Sequence, residues 1–315
     1  MALGRSGDIA EGPARIATPD EEWRSLMAAL ADQAAFIIMV PLARPSTLWE
    51  LRWLTEHDLL GKVLMVMPEI GKFQPTMMGA QAQMGMVARL LLVHSPLVGP
   101  ATWEPVAADL GGRGYEVGVP DLTGTVTAGP PYCMRQAEVI ARGACGQATI
   151  LVGHSGAGPL LAAAGAIIDQ VRGYIFVDAG LPTPGQSWLE TVPPELAAQL
   201  REMADDQGWL PPWAQWWGEQ TLAELIPDPA ARRHFAADCP RLPLAMFEEV
   251  HPTVPQWPDA PAAYLQLSEA YEDQTATARE LGWPVAERMS HHLAPLTHPD
   301  LVAGALRELL GQLRP

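Results

Sequence analysis

The sequence predicts an α/β fold, a mostly parallel sheet covered by helices on both faces. Three observations predict it. Short apolar runs, Ala88–Val93, Tyr115–Val119, Ala148–Val152 and Val171–Val177, alternate with stretches of helical spacing at 102–113, 131–146 and 159–168. Such alternation is the pattern of βαβ units. The runs are continuously apolar rather than alternating, as expected of strands buried on both faces. A serine stands in a cluster of small residues where one run ends, Gly153-His154-Ser155-Gly156-Ala157-Gly158.

The later elements complete the sheet. Pro261–Leu267 and Trp283–Met289 read as strands, and Leu301–Leu313 as a closing helix. Between about 181 and 258 the pattern breaks. This stretch is rich in proline and holds six of the eleven tryptophans: Trp188, Trp209, Trp213, Trp216, Trp217 and Trp257. It is too long for a βα loop, so a helical cap inserted above the sheet is expected. Most of these tryptophans are expected to form the cap's own core, with one or two facing a pocket. Residues 1–83 form a separate N-terminal extension and 84–315 the main domain. Residues 1–18 read as loosely ordered. Glu21–Ala34 and Pro45–His57 have helical spacing, and Ala35–Val40 and Val63–Met67 are strand-like. Phe73–Met86 is a tail rich in methionine and glutamine. The extension therefore reads as a β-α-β-like unit without recognisable chemistry.

Composition bounds the function. The chain has 315 residues, is 48% hydrophobic and 18% charged, and can bury a large core. A net charge of −16 with no basic stripe argues against nucleic acid or an anionic membrane as partner. The nearest candidate for a membrane span, Ala34–Leu42, falls far short of the ~20 residues that span a bilayer. The N-terminus lacks the basic-then-apolar order of a signal peptide. Cys133, Cys145 and Cys239 show neither disulfide framework nor zinc spacing. The chain is expected to be soluble and cytoplasmic, and a homo-oligomer is compatible with its composition.

The chemistry starts at Ser155. Strand, sharp turn with serine at its apex, then helix is the context of a nucleophile elbow. The turn strains the serine backbone, and the residues two places away, Gly153 and Ala157, must be small. The blander reading is a serine that caps the next helix. An elbow serine needs a base. His292 lies just past the last strand in Ser-His-His-Leu-Ala-Pro-Leu-Thr-His-Pro, ahead of the closing helix. His291 is expected to point elsewhere, and His298 stands at the helix start. No cysteine or carboxylate near these histidines has ligand spacing, so no metal is expected.

The chain resembles the α/β-hydrolase superfamily over residues 86–315, and most closely bacterial esterase-like members of its single-domain branch. The resemblance rests on Val-His-Ser-Pro-Leu-Val-Gly-Pro (93–100), Gly-His-Ser-Gly-Ala-Gly (153–158) and His292. It also rests on Phe-Val-Asp-Ala-Gly-Leu-Pro-Thr-Pro-Gly-Gln-Ser (176–187), Ala-Tyr-Leu-Gln-Leu-Ser (263–268) and the Gly282-Trp283 pair. It implies a serine hydrolase acting on a small-molecule ester or related acyl compound. No cofactor is implied. A lyase or other tailoring enzyme, or a ligand-binding protein, on the same fold is the alternative. Its triad would be Ser155, His292 and an acid. Asp178 matches the esterase-like branch, whereas Glu269 and Glu272 follow the later strand where the superfamily more often keeps its acid. The resemblance places one oxyanion donor at the Gly156 N–H. The second should come from the loop 94–97, but Pro96 stands there and proline has no N–H. The Leu97 N–H or the Ser95 hydroxyl is then the expected substitute.

Overall fold

Side chains alternate faces along a strand, and in this chain that alternation sorts the apolar residues into two layers. The computed structural model describes residues 88–313 except Trp217 and Gln256, together with four short strands nearer the N-terminus. Six strands form one sheet: β1 Arg89–Val93, β2 Val117–Gly118, β3 Thr149–His154, β4 Val171–Val177, β5 Ala262–Gln266 and β6 Val285–Glu287. Their order across the sheet is β6-β5-β4-β3-β1-β2, and every pairing is parallel.

The principal helices are α1 Glu104–Gly112, α2 Tyr132–Gly143, α3 Leu160–Gly165, α4 Glu272–Glu280 and α5 Pro299–Gln312. Leu90, Leu92, Val152, Ile175, Val177, Ala263 and Leu265 face one side and pack with residues of α1 and α5. Leu91, Val93, Leu151, Tyr174, Phe176 and Tyr264 face the other and pack with residues of α2, α3 and α4. Fully burying one such side chain is worth about 1.5–3 kcal/mol, against about 1 kcal/mol net for a ladder hydrogen bond. The apolar faces therefore set the strand orientation. The central strands match the apolar runs of the sequence closely. The edge strands β2 and β6 are shorter than the runs 115–119 and 283–289, because each pairs on one side only.

The register positions the site. His154 pairs with Val177, and Val177 with Leu265, at the carboxyl ends of β3, β4 and β5. Ser155 and Asp178, next along the chain, leave the sheet side by side. β1 lies between β3 and β2, so the chain leaves β1 in one direction and β3 in the other. Such a switch point opens a crevice at the strand ends, and the loop 94–99 and Ser155 stand on its two sides.

Between β4 and β5 lie the helices Trp188–Thr191, Pro194–Met203, Glu219–Leu225, Pro229–Asp238 and Leu244–Glu248. Prolines near their first positions start two of these, Pro194 and Pro229, where a missing N–H costs nothing. Trp209–Leu210 and Leu242–Pro243 pair antiparallel. One apolar cluster joins Leu222, Ile226 and Phe235 to Val98 and Leu293. A second joins Leu189, Leu200, Leu242 and Phe247. Among the described residues no helix is long and apolar enough to cross a membrane.

The chain divides into two compact units, Met1–Gly85 and Met86–Pro315. In the first, Ile37–Met39 pairs parallel with Val63–Met65. Within 1–18, read above as loosely ordered, Ala2–Gly4 pairs with Arg15–Ala17. The expected helices 21–34 and 45–57 and the tail 73–86 lie outside the described residues, as does Trp217.

Candidate active site

β3 ends at His154, and Ser155 takes φ +58°, the left-handed region that a side chain adopts only under constraint. A tight turn, Ser155–Ala157, then leads into α3. The packing around this turn explains its small residues. A Cβ on Gly153 would lie 3.0 Å from Leu161 Cδ1, a side chain that can shift. A Cβ on Gly158 would lie 1.9 Å from the Gly180 carbonyl oxygen. The residue that must be glycine is thus Gly158. Ala157, expected above only to be small, is fully buried and its methyl group fits.

The three residues proposed from sequence come together. His292 Nε2 lies 2.9 Å from Ser155 Oγ, and His292 Nδ1 lies 2.8 Å from Asp178 Oδ2. Asp178 is 0% exposed and takes φ +43°. A carboxylate accepts only, so Nδ1–H donates to Asp178, and Nε2 is left to accept the Ser155 proton. Asp178 is also held by the loop after β5. Its Oδ1 accepts from the Leu267 and Ser268 N–H groups at 2.8 and 3.0 Å, and its Oδ2 from Ser268 Oγ at 2.6 Å. Burial pushes its pKa up, but the bond and charge of His292 with the Ser268 and Leu267 donors outweigh it, and the net direction is down. Glu269 and Glu272 are exposed. Glu272 accepts from Gln266 Nε2 at 3.0 Å, and neither glutamate bonds His292 among the described residues. The loop after β5 thus supplies hydrogen-bond donors to Asp178.

Two further side chains touch this chain of hydrogen bonds and were not foreseen. The His154 ring stands 4.6 Å from that of His292, and its Nε2–H donates to the His292 carbonyl oxygen at 2.9 Å. Burial, and then the neighbouring His292, pushes its pKa down to about 3. Tyr271 stacks on the His292 imidazole, ring centroids 5.2 Å apart with the planes 10° from parallel. His154 lies inside the quoted motif and was visible there. Nothing in the linear sequence separates Tyr271 from the glutamates beside it.

The loop after β1 is fixed by His94, which is fully buried. Its Nε2 accepts from the Leu122 N–H at 3.0 Å, so Nδ1 carries the proton and donates to the Ser95 carbonyl at 2.8 Å. Burial pushes its pKa down, keeping it neutral. The Leu97 N–H is turned toward Ser95 Oγ at 3.3 Å. A Cβ on Gly156 would lie 2.9 Å from that same oxygen. The Ser95 hydroxyl therefore sits over Gly156, with Leu97 behind it.

Above these groups is a cavity of about 1000 Å³ whose lining includes Ser95, Ser155, Tyr271 and His292. Trp188, Trp213, Trp216, Met203, Met246 and Phe247 supply much of its apolar wall, so more of the tryptophans face it than the one or two expected. Trp257 packs on Tyr174 and Phe176 instead, and Trp209 stands beside Arg241. Glu249 lines the cavity but is committed to the Tyr132 and Cys133 N–H groups, 2.7 Å each. The three cysteines are free thiols, and burial pushes Cys133 and Cys239 up to about 12. Among the described residues no group of three or more His, Cys, Asp or Glu is placed to hold a metal ion.

The sequence profile of the alpha/beta hydrolase family matches residues 90–305, most of the chain. The chain belongs to the alpha/beta hydrolase family. Solved structures share the fold at low identity. An extracellular alpha/beta-hydrolase from a Paenibacillus species, which shares structural and functional homology with tobacco salicylic acid binding protein 2, is 18% identical. It has a TM-score of 0.55, over 69% of this chain and 98% of that one. A pyrethroid hydrolase from Sphingobium faniae JZ-2 is 22% identical, with a TM-score of 0.54 over 70% and 96%. Tomato methylketone synthase I, complexed with 2-tridecanone, is 17% identical, with a TM-score of 0.55 over 72% and 99%. No protein of curated function matches the chain in sequence.

Proposed function

We propose that this chain is a serine hydrolase that cleaves a carboxylic ester carrying a bulky apolar group. The observation that carries the reading is the Ser155–His292–Asp178 relay, with contacts of 2.9 and 2.8 Å, under an apolar cavity of about 1000 Å³. Ser155 Oγ attacks the acyl carbon while His292 Nε2 takes its proton. Asp178 stays ionised and stabilises the imidazolium. The imidazolium then protonates the leaving alcohol, and water, deprotonated by the same nitrogen, releases the acid.

The oxyanion needs donors aimed at it before it forms. Gly156 N–H follows the nucleophile. For the second donor we favour the Ser95 hydroxyl over the Leu97 N–H. Leu97 N–H already points at Ser95 Oγ, and this leaves the Ser95 proton to be donated across Gly156. The segment 181–258 is the cap that walls the cavity. Its aromatic lining suits an ester larger than a short acyl chain, since a pocket of this size can enclose a drug-sized ligand. The likeness to a pyrethroid hydrolase is in keeping with that class.

A panel of p-nitrophenyl esters from acetyl to dodecanoyl, with esters of aryl alcohols, tests the reading. Turnover is expected to rise with apolar size, to vanish in Ser155→Ala, and to be blocked when a fluorophosphonate labels Ser155. Turnover by Ser155→Ala within a few fold of the native chain would sink it. A lyase using the same Ser155–His292 pair is the second reading. It draws on Pro96, which removes a backbone donor, and on the likeness to a methylketone synthase. A labelled serine without turnover of any ester in the panel would favour it.

A further inference from the structure

We propose that Gln136 forms a polar subsite in the wall of the apolar cavity, and that it takes a hydroxyl group carried on the apolar part of the ester. This names the substrate class of the hydrolase reading above and rests on it.

Gln136 lies on α2, is 2% exposed and lines the cavity. Its Nε2 donates to Met246 Sδ at 3.5 Å, and a thioether is a weak acceptor. Among the described residues its Oε1 has no hydrogen-bond partner. An amide buried in this state is unfavourable, and a ligand group that bonds it removes that cost. The same end of the cavity holds two more polar side chains. Glu249 accepts from the Tyr132 and Cys133 N–H groups at the start of α2, 2.7 Å each, and Gln136 follows about one helical turn later. The chain is extended at Glu249, φ −70° and ψ 128°, and Val250 bridges to Ser187. Alternate side chains of an extended segment share a side, so Glu249 and His251 face one way, and both line the cavity. His251 Nδ1 is buried without a partner among the described residues.

These neighbours define the chemistry of the group that fits. The Glu249 carboxylate, already committed to α2, disfavours a second anion such as a carboxylate or phosphate. A plain alkyl chain leaves the Gln136 amide unpaired. A hydroxyl is neutral and both donates and accepts, so it bonds Oε1, or replaces Met246 as the acceptor for Nε2. Ser155 fixes where the ester carbon sits, and Gln136 is fixed on α2. Only a hydroxyl at one or two positions along the substrate then reaches the amide. A hydroxyl buried elsewhere, among Trp188, Met203 and Phe247, meets no partner and is rejected.

Matched esters test this in the full chain. One series pairs p-nitrophenyl alkanoates, from hexanoyl to dodecanoyl, with the same esters bearing a terminal hydroxyl. A second carries the hydroxyl on the other side, pairing butyrates of n-alkanols with those of the matching α,ω-diols. The quantity read at each length is the ratio of kcat/KM, hydroxy over plain, which does not depend on how much of a variant is folded. In the native chain one of the two series should show a maximum in that ratio at one or two adjacent lengths. Gln136→Met, unbranched like the native side chain but without the amide, should lower that maximum about 5- to 100-fold. Gln136→Asn withdraws the amide by one carbon and should move the maximum to the next longer hydroxy ester, a shift that lost packing does not produce. A native ratio without a maximum in either series would overturn the proposal. So would a maximum that Gln136→Met leaves within about twofold. Binding separates this failure from that of the hydrolase reading. The n-alkanols and α,ω-diols are titrated against the fluorescence of the native chain, whose cavity tryptophans report occupancy, and the diol of the favoured length should bind more tightly than the alkanol. Diol preference without turnover of any ester would sink the hydrolase reading and keep the subsite, whereas ester turnover without diol preference would sink the subsite alone.

Discussion

His154 and His292 lie ring to ring, 4.6 Å between centroids, with His154 Nε2–H donating to the His292 carbonyl oxygen at 2.9 Å. The residue before Ser155 thus holds the backbone of His292. The bond fixes the His154 tautomer: Nε2 carries the proton, and Nδ1 is buried without a partner among the described residues. A proton added at Nδ1 would be buried beside an imidazole that itself becomes cationic during the proposed reaction.

This arrangement makes the fold sensitive to acid. The His154 pKa falls from 6.5 to about 3 on folding, chiefly through burial and then through His292. Between those values the unfolded chain binds the proton and the folded chain does not, so stability falls as pH falls. At about pH 5 the loss from His154 alone is on the order of 2 kcal/mol. His94, His251 and His291 are also shifted down by burial and act in the same sense. Calorimetry between about pH 7.5 and 5 should show the melting temperature of the native chain falling by several degrees more than that of His154→Gln. Gln keeps an N–H donor for the His292 carbonyl and does not titrate. Parallel curves for the two proteins would remove His154 from the account.

Asp178 and the two glutamates make a competition that kinetics can decide. Asp178→Asn keeps the size of the side chain but leaves His292 Nδ1 without a carboxylate. Turnover should fall by ~10⁴, the cost of a wrong imidazole tautomer in a serine triad. Glu269→Gln and Glu272→Gln should each stay within a few fold of native, because both carboxylates are exposed and away from His292. A large loss in either glutamate variant with a small one in Asp178→Asn would move the acid to the later loop.

The sequence made the central sheet legible because β1, β3 and β4 are continuous apolar runs, and burial on both faces demands such runs. The turn at Ser155 was legible because Gly153 to Gly158 pack their small residues against specific neighbours. The carboxylate partner of His292 was harder. Asp178, Glu269 and Glu272 all follow strands, and only the fold shows the Leu267 and Ser268 N–H groups converging on Asp178. Tyr271 and Ser95 owe their positions to ring stacking and loop direction, which leave no periodic signal. The segment 181–258 could be recognised by its prolines and tryptophans. Which tryptophans line the cavity depends on how its short helices pack, and no local pattern records that.

Gly158 offers a steric test of the turn. A methyl group there would meet the Gly180 carbonyl, a backbone atom that cannot rotate away, whereas at Gly153 it would meet a leucine side chain. Gly158→Ala should lower stability by about 3 kcal/mol or more and displace Ser155, since overpacking against rigid atoms forces the backbone to move. Gly153→Ala should cost less, about 1 kcal/mol. Denaturant melts of the two variants give the ranking, and equal costs would show that the Gly180 loop yields freely.

The last prediction concerns Ser95, whose hydroxyl lies over Gly156 while accepting the Leu97 N–H. If Ser95 Oγ–H is the second oxyanion donor, Ser95→Ala should lower kcat by ~10²–10³ with little change in KM, because the oxyanion exists only past the ground state. Ser95→Thr keeps the hydroxyl and should recover much of the loss. Leu97 responds differently under the two assignments. With Ser95 removed, the Leu97 N–H loses its acceptor and becomes free to face the substrate. Were Leu97 N–H the working donor, Ser95→Ala would release it and turnover would hold or rise. The direction of the change in kcat, measured on an ester that the native chain turns over, therefore separates a hydroxyl donor from a backbone one.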